Sequence, residues 1–187
     1  SLTLGGITLQ RLSDGKRVSV VVTPGAKLGW IGFSPDGKRI AFTETRSAGI
    51  ALWVADAASG AAKALTTPTL NATMGTPCGW VDGASLLCRF VVATRGPAPT
   101  SPQVPEGPNV QENAGKAAPV ATYEDLLRNA HDEALFEHYF TSQLAFVNAI
   151  SGVRTAVGKP AIFDEAEACP DGAYVLVARI KKPYSRL

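Results

Sequence analysis

The chain has 187 residues, 45% of them hydrophobic and 18% charged, enough for one sizeable core or two small ones and too apolar for a disordered tail. Its 18 basic and 16 acidic residues leave a net charge of +2 with no runs of either sign, so nothing marks a nucleic-acid partner or an anionic membrane. No stretch approaches the roughly 18 apolar residues that cross a bilayer, and 18 glycines with 13 prolines call for frequent turns, not long helical bundles.

The first ten residues lack the charged and apolar regions of a signal peptide, and the only methionine is Met74. The sequence therefore reads as trimmed at its start or as beginning partway along a longer protein. The first pattern is Ile7-Thr8-Leu9-Gln10-Arg11-Leu12 and Arg17-Val18-Ser19-Val20-Val21 around Ser13-Asp14-Gly15, which reads as a hairpin. The second is Trp30-Ile31-Gly32-Phe33 and Arg39-Ile40-Ala41-Phe42 around Ser34-Pro35-Asp36-Gly37, where Pro presets φ and Gly accepts the positive φ that closes a turn. A third hairpin runs from Ile50 to Thr66 and turns through Ser59-Gly60. Four short strands thus fill about 40 residues.

The punctuation then returns. Trp80-Val81-Asp82-Gly83 precedes the apolar run Leu86-Leu87-Cys88-Arg89-Phe90-Val91-Val92, and Cys169-Pro170-Asp171-Gly172 precedes Tyr174-Val175-Leu176-Val177-Ala178. Leu144-Ala145-Phe146-Val147-Asn148-Ala149-Ile150-Ser151-Gly152 matches Leu52 to Gly60 in character, position by position. Four strands in roughly 40 to 45 residues is the period of a β-propeller blade, a small sheet that buries its faces only by stacking on neighbours. The expected fold is all-β with a small helical insertion: a partial propeller of about three blades of four-stranded antiparallel sheets. Its parts are the second half of a blade at 1–25, a complete blade at 28–68, an interrupted blade at 74–158 and the start of another at 160–187. Because 4 to 8 blades usually close a ring, the sequence reads as a piece of a larger propeller.

The stretch from Asp82 to Asn148 is about 46 residues longer than the equivalent stretch from Asp36 to Asp56, which places an insertion at about 95–141. Pro97, Pro99, Pro102, Pro105 and Pro108 make its first part an extended linker. From Thr122 the pattern turns helical, with Asp125 three positions on and Leu126, Leu127 and Ala130 on one side; a second helical stretch is expected from Asp132 to about Phe140. Such insertions map to a rim, where function tends to lie.

Candidate chemistry is sparse. His131 and His138 stand beside Asp132, Glu133 and Glu137, but seven residues of helix separate them by about 10 Å, too far to share one metal ion. Cys78, Cys88 and Cys169 have no zinc or redox spacing. Cys78 and Cys88 flank Asp82-Gly83 symmetrically, so they either face each other across a ladder or sit as two small buried apolar groups. No serine lies in Gly-x-Ser-x-Gly, and there is no glycine-rich phosphate loop. Asp36, Asp82 and Asp171 recur at equivalent turns and read as turn formers, while Trp30, Trp53 and Trp80 read as filling between blades. No catalytic, cofactor-binding or metal-ligating residue is assigned.

Phe33-Ser34-Pro35-Asp36-Gly37-Lys38-Arg39-Ile40-Ala41-Phe42 and Leu52-Trp53-Val54-Ala55-Asp56 resemble the propeller repeats of the prolyl oligopeptidase family, though TolB-type propellers share them. More specific are Gly107 to Asn113, Thr122-Tyr123-Glu124-Asp125-Leu126-Leu127, Asp132-Glu133-Ala134-Leu135-Phe136, Tyr139, Thr141-Ser142-Gln143-Leu144 and Lys182-Pro183-Tyr184-Ser185, a succession that resembles the family's glutamyl endopeptidase branch. The resemblance implies a serine peptidase whose propeller caps a C-terminal α/β-hydrolase domain bearing Ser, Asp and His, with that domain and peptide substrates as its partners. The hydrolase domain is absent from these residues, so no catalytic residue is carried over and the expected role is gating and substrate access. A preference for glutamate would need a cation, for which Arg89, Arg95, Arg128 and Lys116 lie in or near the insertion, none singled out. The competing expectation is a non-catalytic TolB-like or WD-type propeller fragment that binds protein or peptide partners. For a bacterial source the resemblance points to a periplasmic or secreted setting.

Overall fold

A computed structural model describes residues 4–101, 127 and 129–184. Eleven strands and one helix are found among them. β1 (Thr8–Gln10) and β2 (Arg17–Ser19) form a two-stranded antiparallel sheet. β3 (Lys27–Phe33), β4 (Arg39–Arg46), β5 (Gly49–Asp56) and β6 (Ala62–Ala64) form a four-stranded meander in chain order. β7 (Cys78–Trp80), β8 (Ser85–Val91), β9 (Thr141–Asn148), β10 (Arg154–Ala168) and β11 (Val175–Ile180) make a five-stranded sheet, again in chain order. The helix α1 (Ala130–Phe140) runs directly into β9.

Side chains alternate across a strand, and here both faces of the central strands are apolar, so each sheet buries two faces. In β4 and β5, Ile40, Phe42 and Ala55 join Val20 and Leu28 in a core against the first sheet. Ala41, Leu52 and Val54 point the other way, into a core with Leu86, Cys88, Phe90, Ala145 and Val147 of the third sheet. On the far face of that sheet Leu87 and Leu144 meet Phe163, with Val175 and Val177 of β11 packed against them. Three cores separated by sheets are what stacked blades produce, and this is a partial β-propeller. Trp30 and Trp80 pack against the second core and Trp53 against the first, and Trp80 Nε1 also donates to Gly32 O across the sheets at 3.0 Å.

The segment after β6 stitches two sheets together with single backbone bridges. Leu70 pairs with both Ile50 and Phe90, and Asn71 N donates to Arg89 O at 2.9 Å. The connection leaving β9 is different. The sequence suggests a break around Gly158-Lys159-Pro160, yet β10 continues through it: Arg154 to Val157 and then Ala161 and Ile162 pair with β9, and the stretch from Ile162 to Ala168 pairs with β11. Pro160 lies where the β9 register shifts between Val157 and Ala161, so no ladder partner requires its missing N–H. Gln143 fills the gap, its Nε2 donating to Leu144 O, Val157 O and Gly158 O at 2.9 to 3.3 Å. One strand therefore serves two hairpins.

Cys78 and Cys88 are ladder partners joined by a disulfide within the second core. Of the two readings open for this pair, the facing arrangement is the one that forms. The helical stretch expected from Asp132 starts two residues earlier, because Asn129 provides the cap: its side chain accepts from Asp132 N at 2.9 Å. The stretch expected from Thr122, together with Pro102, Pro105 and Pro108, lies outside the described residues.

Candidate functional site

The recurrent acidic turns are the natural first place to look for chemistry, and their geometry is that of scaffolding. Asp36 Oδ1 accepts from Ser34 Oγ at 2.6 Å and Lys38 N at 3.1 Å, while Arg39 N donates to Ser34 Oγ. Asp171 repeats the arrangement, with Cys169 Sγ in the place of the serine hydroxyl and Ala173 N as the backbone donor. Asp56 accepts from Ala58 N and Ser59 N, and Asn148 accepts from Ile150 N and Ser151 N in the same manner. Asp82 takes Ala84 N and Ser85 N. Hydrogen bonds from serine or cysteine side chains and from turn amides hold Asp36, Asp56, Asp82 and Asp171 below the usual carboxylate range. These groups are kept ionised by their own turns, Asp36 and Asp56 on the four-stranded sheet and Asp82 and Asp171 on the five-stranded one.

The insertion returns to the fold through α1, and several contacts fix it on the rim. Asn71, which is buried, donates its Nδ2 to Tyr139 O at 3.0 Å and Thr141 O at 3.2 Å, holding the junction of helix and strand. Arg95 lies over the Tyr139 ring, 5.7 Å from its centroid. His131 contacts Ser101 Oγ at 3.2 Å, and His138 stands edge-on to Tyr139. The densest contact is with the segment leaving β11. Glu137 Oε1 accepts from Lys182 Nζ at 2.6 Å and Tyr184 Oη at 2.7 Å, and the Phe136 ring meets Tyr184 at 5.0 Å in an edge-on pair.

The hydrogen bond from Lys182, then that from Tyr184, lowers the Glu137 carboxyl from its ordinary value. The same pairing raises Lys182. Burial first, and the Glu137 contact second, push the Tyr184 phenol up to about 12. At neutral pH Glu137 is therefore an anion held by an ammonium and a neutral phenol.

A cleft of about 420 Å³ opens between the loop around Met74–Gly79 and β10 residues Asp164 to Glu167, with Arg89 in its wall. Arg89 is 8% exposed, and its guanidinium donates to Met74 O and to Asp164 O, the latter at 3.0 Å. Burial lowers its pKa from the ordinary arginine value. Of the four cations near the insertion, Arg89 thus ties the Met74 loop to β10, Arg95 covers an aromatic ring, and Arg128 and Lys116 lie outside the described residues. The structure does not gather them at one point. No group of His, Cys, Asp and Glu side chains suited to a metal ion occurs among the described residues. The Glu137 contact is one that sequence reasoning missed: its residues belong to motifs quoted above, but nothing local in the chain pairs positions 47 apart.

The fold defines a propeller segment with an ordered rim helix, and comparison with known proteins agrees. By fold it is similar to an acylaminoacyl peptidase from Pyrococcus horikoshii (TM-score 0.50, 18% identity, 87% of this chain and 21% of that one). It is equally similar to TolB from Acinetobacter baumannii (TM-score 0.50, 15% identity, 96% of this chain and 33% of that one). By sequence it is 33% identical to a probable chloroplastic glutamyl endopeptidase from Oryza sativa subsp. japonica over 195 residues, 96% of this chain. A protein of the same description from Arabidopsis thaliana is 33% identical over 183 residues, 93% of this chain. Over nearly its whole length the chain is thus similar to part of proteins named as glutamyl endopeptidases, and its fold is that of part of a propeller. It spans about a fifth of the length of these relatives, 21% and 19%. No protein-family model matches it.

Proposed function

We propose that this chain is the gating and substrate-access portion of a serine peptidase that hydrolyses peptide bonds, its Ser, Asp and His triad carried by a C-terminal α/β-hydrolase domain. The observation that carries this reading is the 33% identity across nearly the whole chain, insertion included, to proteins named as glutamyl endopeptidases. The physical role suits the fold. A rigid ring of stacked sheets over a nucleophile excludes folded proteins by size, and an ordered rim element such as α1 borders the entrance. The likeness to TolB supports a second reading, a non-catalytic propeller that binds protein or peptide partners, because fold similarity is the same for both solved structures.

The test uses the whole gene product containing this segment. It is expected to carry a Gly-x-Ser-x-Gly followed by Asp and then His, and to cleave peptides after glutamate far faster than the matched glutamine peptides. A product with further blades alone, inert on peptides, overturns the peptidase reading. Equal cleavage of both peptide sets removes the glutamyl preference and leaves the peptidase reading standing.

A further inference from the structure

The contact between α1 and the segment leaving β11 serves neither a sheet nor a core, and it joins two motifs that the peptidase reading leaves unused. We propose that Glu137, Lys182 and Tyr184 form a latch that docks the rim helix onto the exit of the β10–β11 hairpin, so that the helix can be released without unstacking the sheets.

The helix needs such a device. It has only 11 residues, and isolated helices shorter than about 12–15 residues are marginal in water. None of its residues is buried, so no apolar stripe anchors it to a core. Its first turn is capped by Asn129, and its last residue leads into β9, which fixes the two ends of the segment but not the helix face. The face is held at Glu137. Lys182 Nζ and Tyr184 Oη both address Oε1, at 2.6 and 2.7 Å, and the Lys182 ammonium also lies 5.8 Å from the Tyr184 ring centroid.

One turn earlier, Glu133 adds its field to both Lys182 and Tyr184. Phe136 rests edge-on against Tyr184 and meets Phe140 in a tilted pair at 4.5 Å, which keeps the phenol from swinging away. The Lys182 side chain is 57% exposed, so its ion pair with Glu137 is a surface one, and it is the second donor, Tyr184, with its ring contact to Phe136 that sets this contact apart. Movement of the β10–β11 hairpin therefore reaches the rim helix through the Glu137 carboxylate and the Phe136 ring. The proposal concerns the position of α1 and does not depend on the peptidase reading.

Hydrogen exchange on the whole gene product that contains this segment tests it, with Lys182→Met/Tyr184→Phe as the unlatched variant. Amides of α1 are expected to exchange roughly threefold faster or more, as loss of an exposed ion pair together with a second donor implies, while those of β4 and β5 keep their rates. Lys182→Arg is expected to retain most of the α1 protection, and Lys181→Met, a neighbouring cation outside the contact, to leave it unchanged. Unaltered α1 exchange in the double variant overturns the latch. So does an equal acceleration in β4 and β5, which would make the contact a support of the whole fold, or an equal effect of Lys181→Met, which would make it a matter of general charge.

Discussion

Two equivalent glycines show how much of the stacking rests on single positions. Gly60 and Gly152 close equivalent turns at φ 75° and 74°, and a Cβ on either would lie 2.3 Å from Ser19 O or 2.6 Å from Leu65 O of the preceding chain segment. Gly152→Ala is therefore expected to cost about 3 kcal/mol or more in urea unfolding, since it combines left-handed strain with a backbone clash. Gly37→Ala has the same φ problem, at 68°, but open space around it, so it is expected to cost about 1 kcal/mol. The difference measures the clash itself. The Asp turns give a second test at this scale. Their folded pKa values are lowered, so their stabilisation is complete above the unfolded carboxylate value of about 3.9 and is lost as pH falls through the lower folded values. Asn148 makes with its amide oxygen two of the three bonds that Asp56 makes, the third coming from Ser59 Oγ, so Asp56→Asn is expected to give up at pH 7 the small stabilisation that the ionised carboxylate adds and to lessen the loss in acid. An acid unfolding curve parallel to that of the parent would contradict this.

Strands and hairpins were legible in the sequence where their cause is local. Ser34-Pro35-Asp36-Gly37 and Cys169-Pro170-Asp171-Gly172 announce turns because the turn is made by those very groups, down to a thiol standing in for a hydroxyl. The symmetric placement of Cys78 and Cys88 about Asp82-Gly83 allowed the ladder pairing without deciding it, since two small buried apolar groups would be placed the same way. Continuity of β10 was not legible: Gly158-Lys159-Pro160 has the composition of a break, and only the register shift opposite Gln143 explains why it is not one. The rim contact was equally hidden, since it depends on where β11 ends relative to α1. For the β7–β8 hairpin, the disulfide spans a sequence separation of 10, so replacing both cysteines with alanine is expected to remove about 3 kcal/mol of stability, read from the urea midpoint at constant slope. A midpoint that does not move would show the pair to be dispensable.

At the scale of the whole molecule, three sheets stack without closing on themselves, and the two ends of the stack leave apolar groups in water. Leu12 at 99% exposure and Val21 stand near one end, Tyr174 at 77% and Leu176 at 65% near the other. The 187-residue chain alone is therefore expected to associate, its mean mass in sedimentation rising with concentration and falling back when Leu176 is changed to lysine. A monomer at every concentration would contradict this. The seam between the four- and five-stranded sheets and the interior of the five-stranded sheet differ in how they would fail under load. At the seam, Leu70 and its neighbours meet each sheet through isolated bridges that can be undone one at a time, like a zip. Within the five-stranded sheet, β10 is a rivet common to both hairpins, so parting them means shearing two ladders together. Any breathing of this stack is thus steered to the seam at residues 67–71, whose amides are expected to exchange ahead of those of β10, while the rim helix rides on the riveted side with the hairpin that holds it.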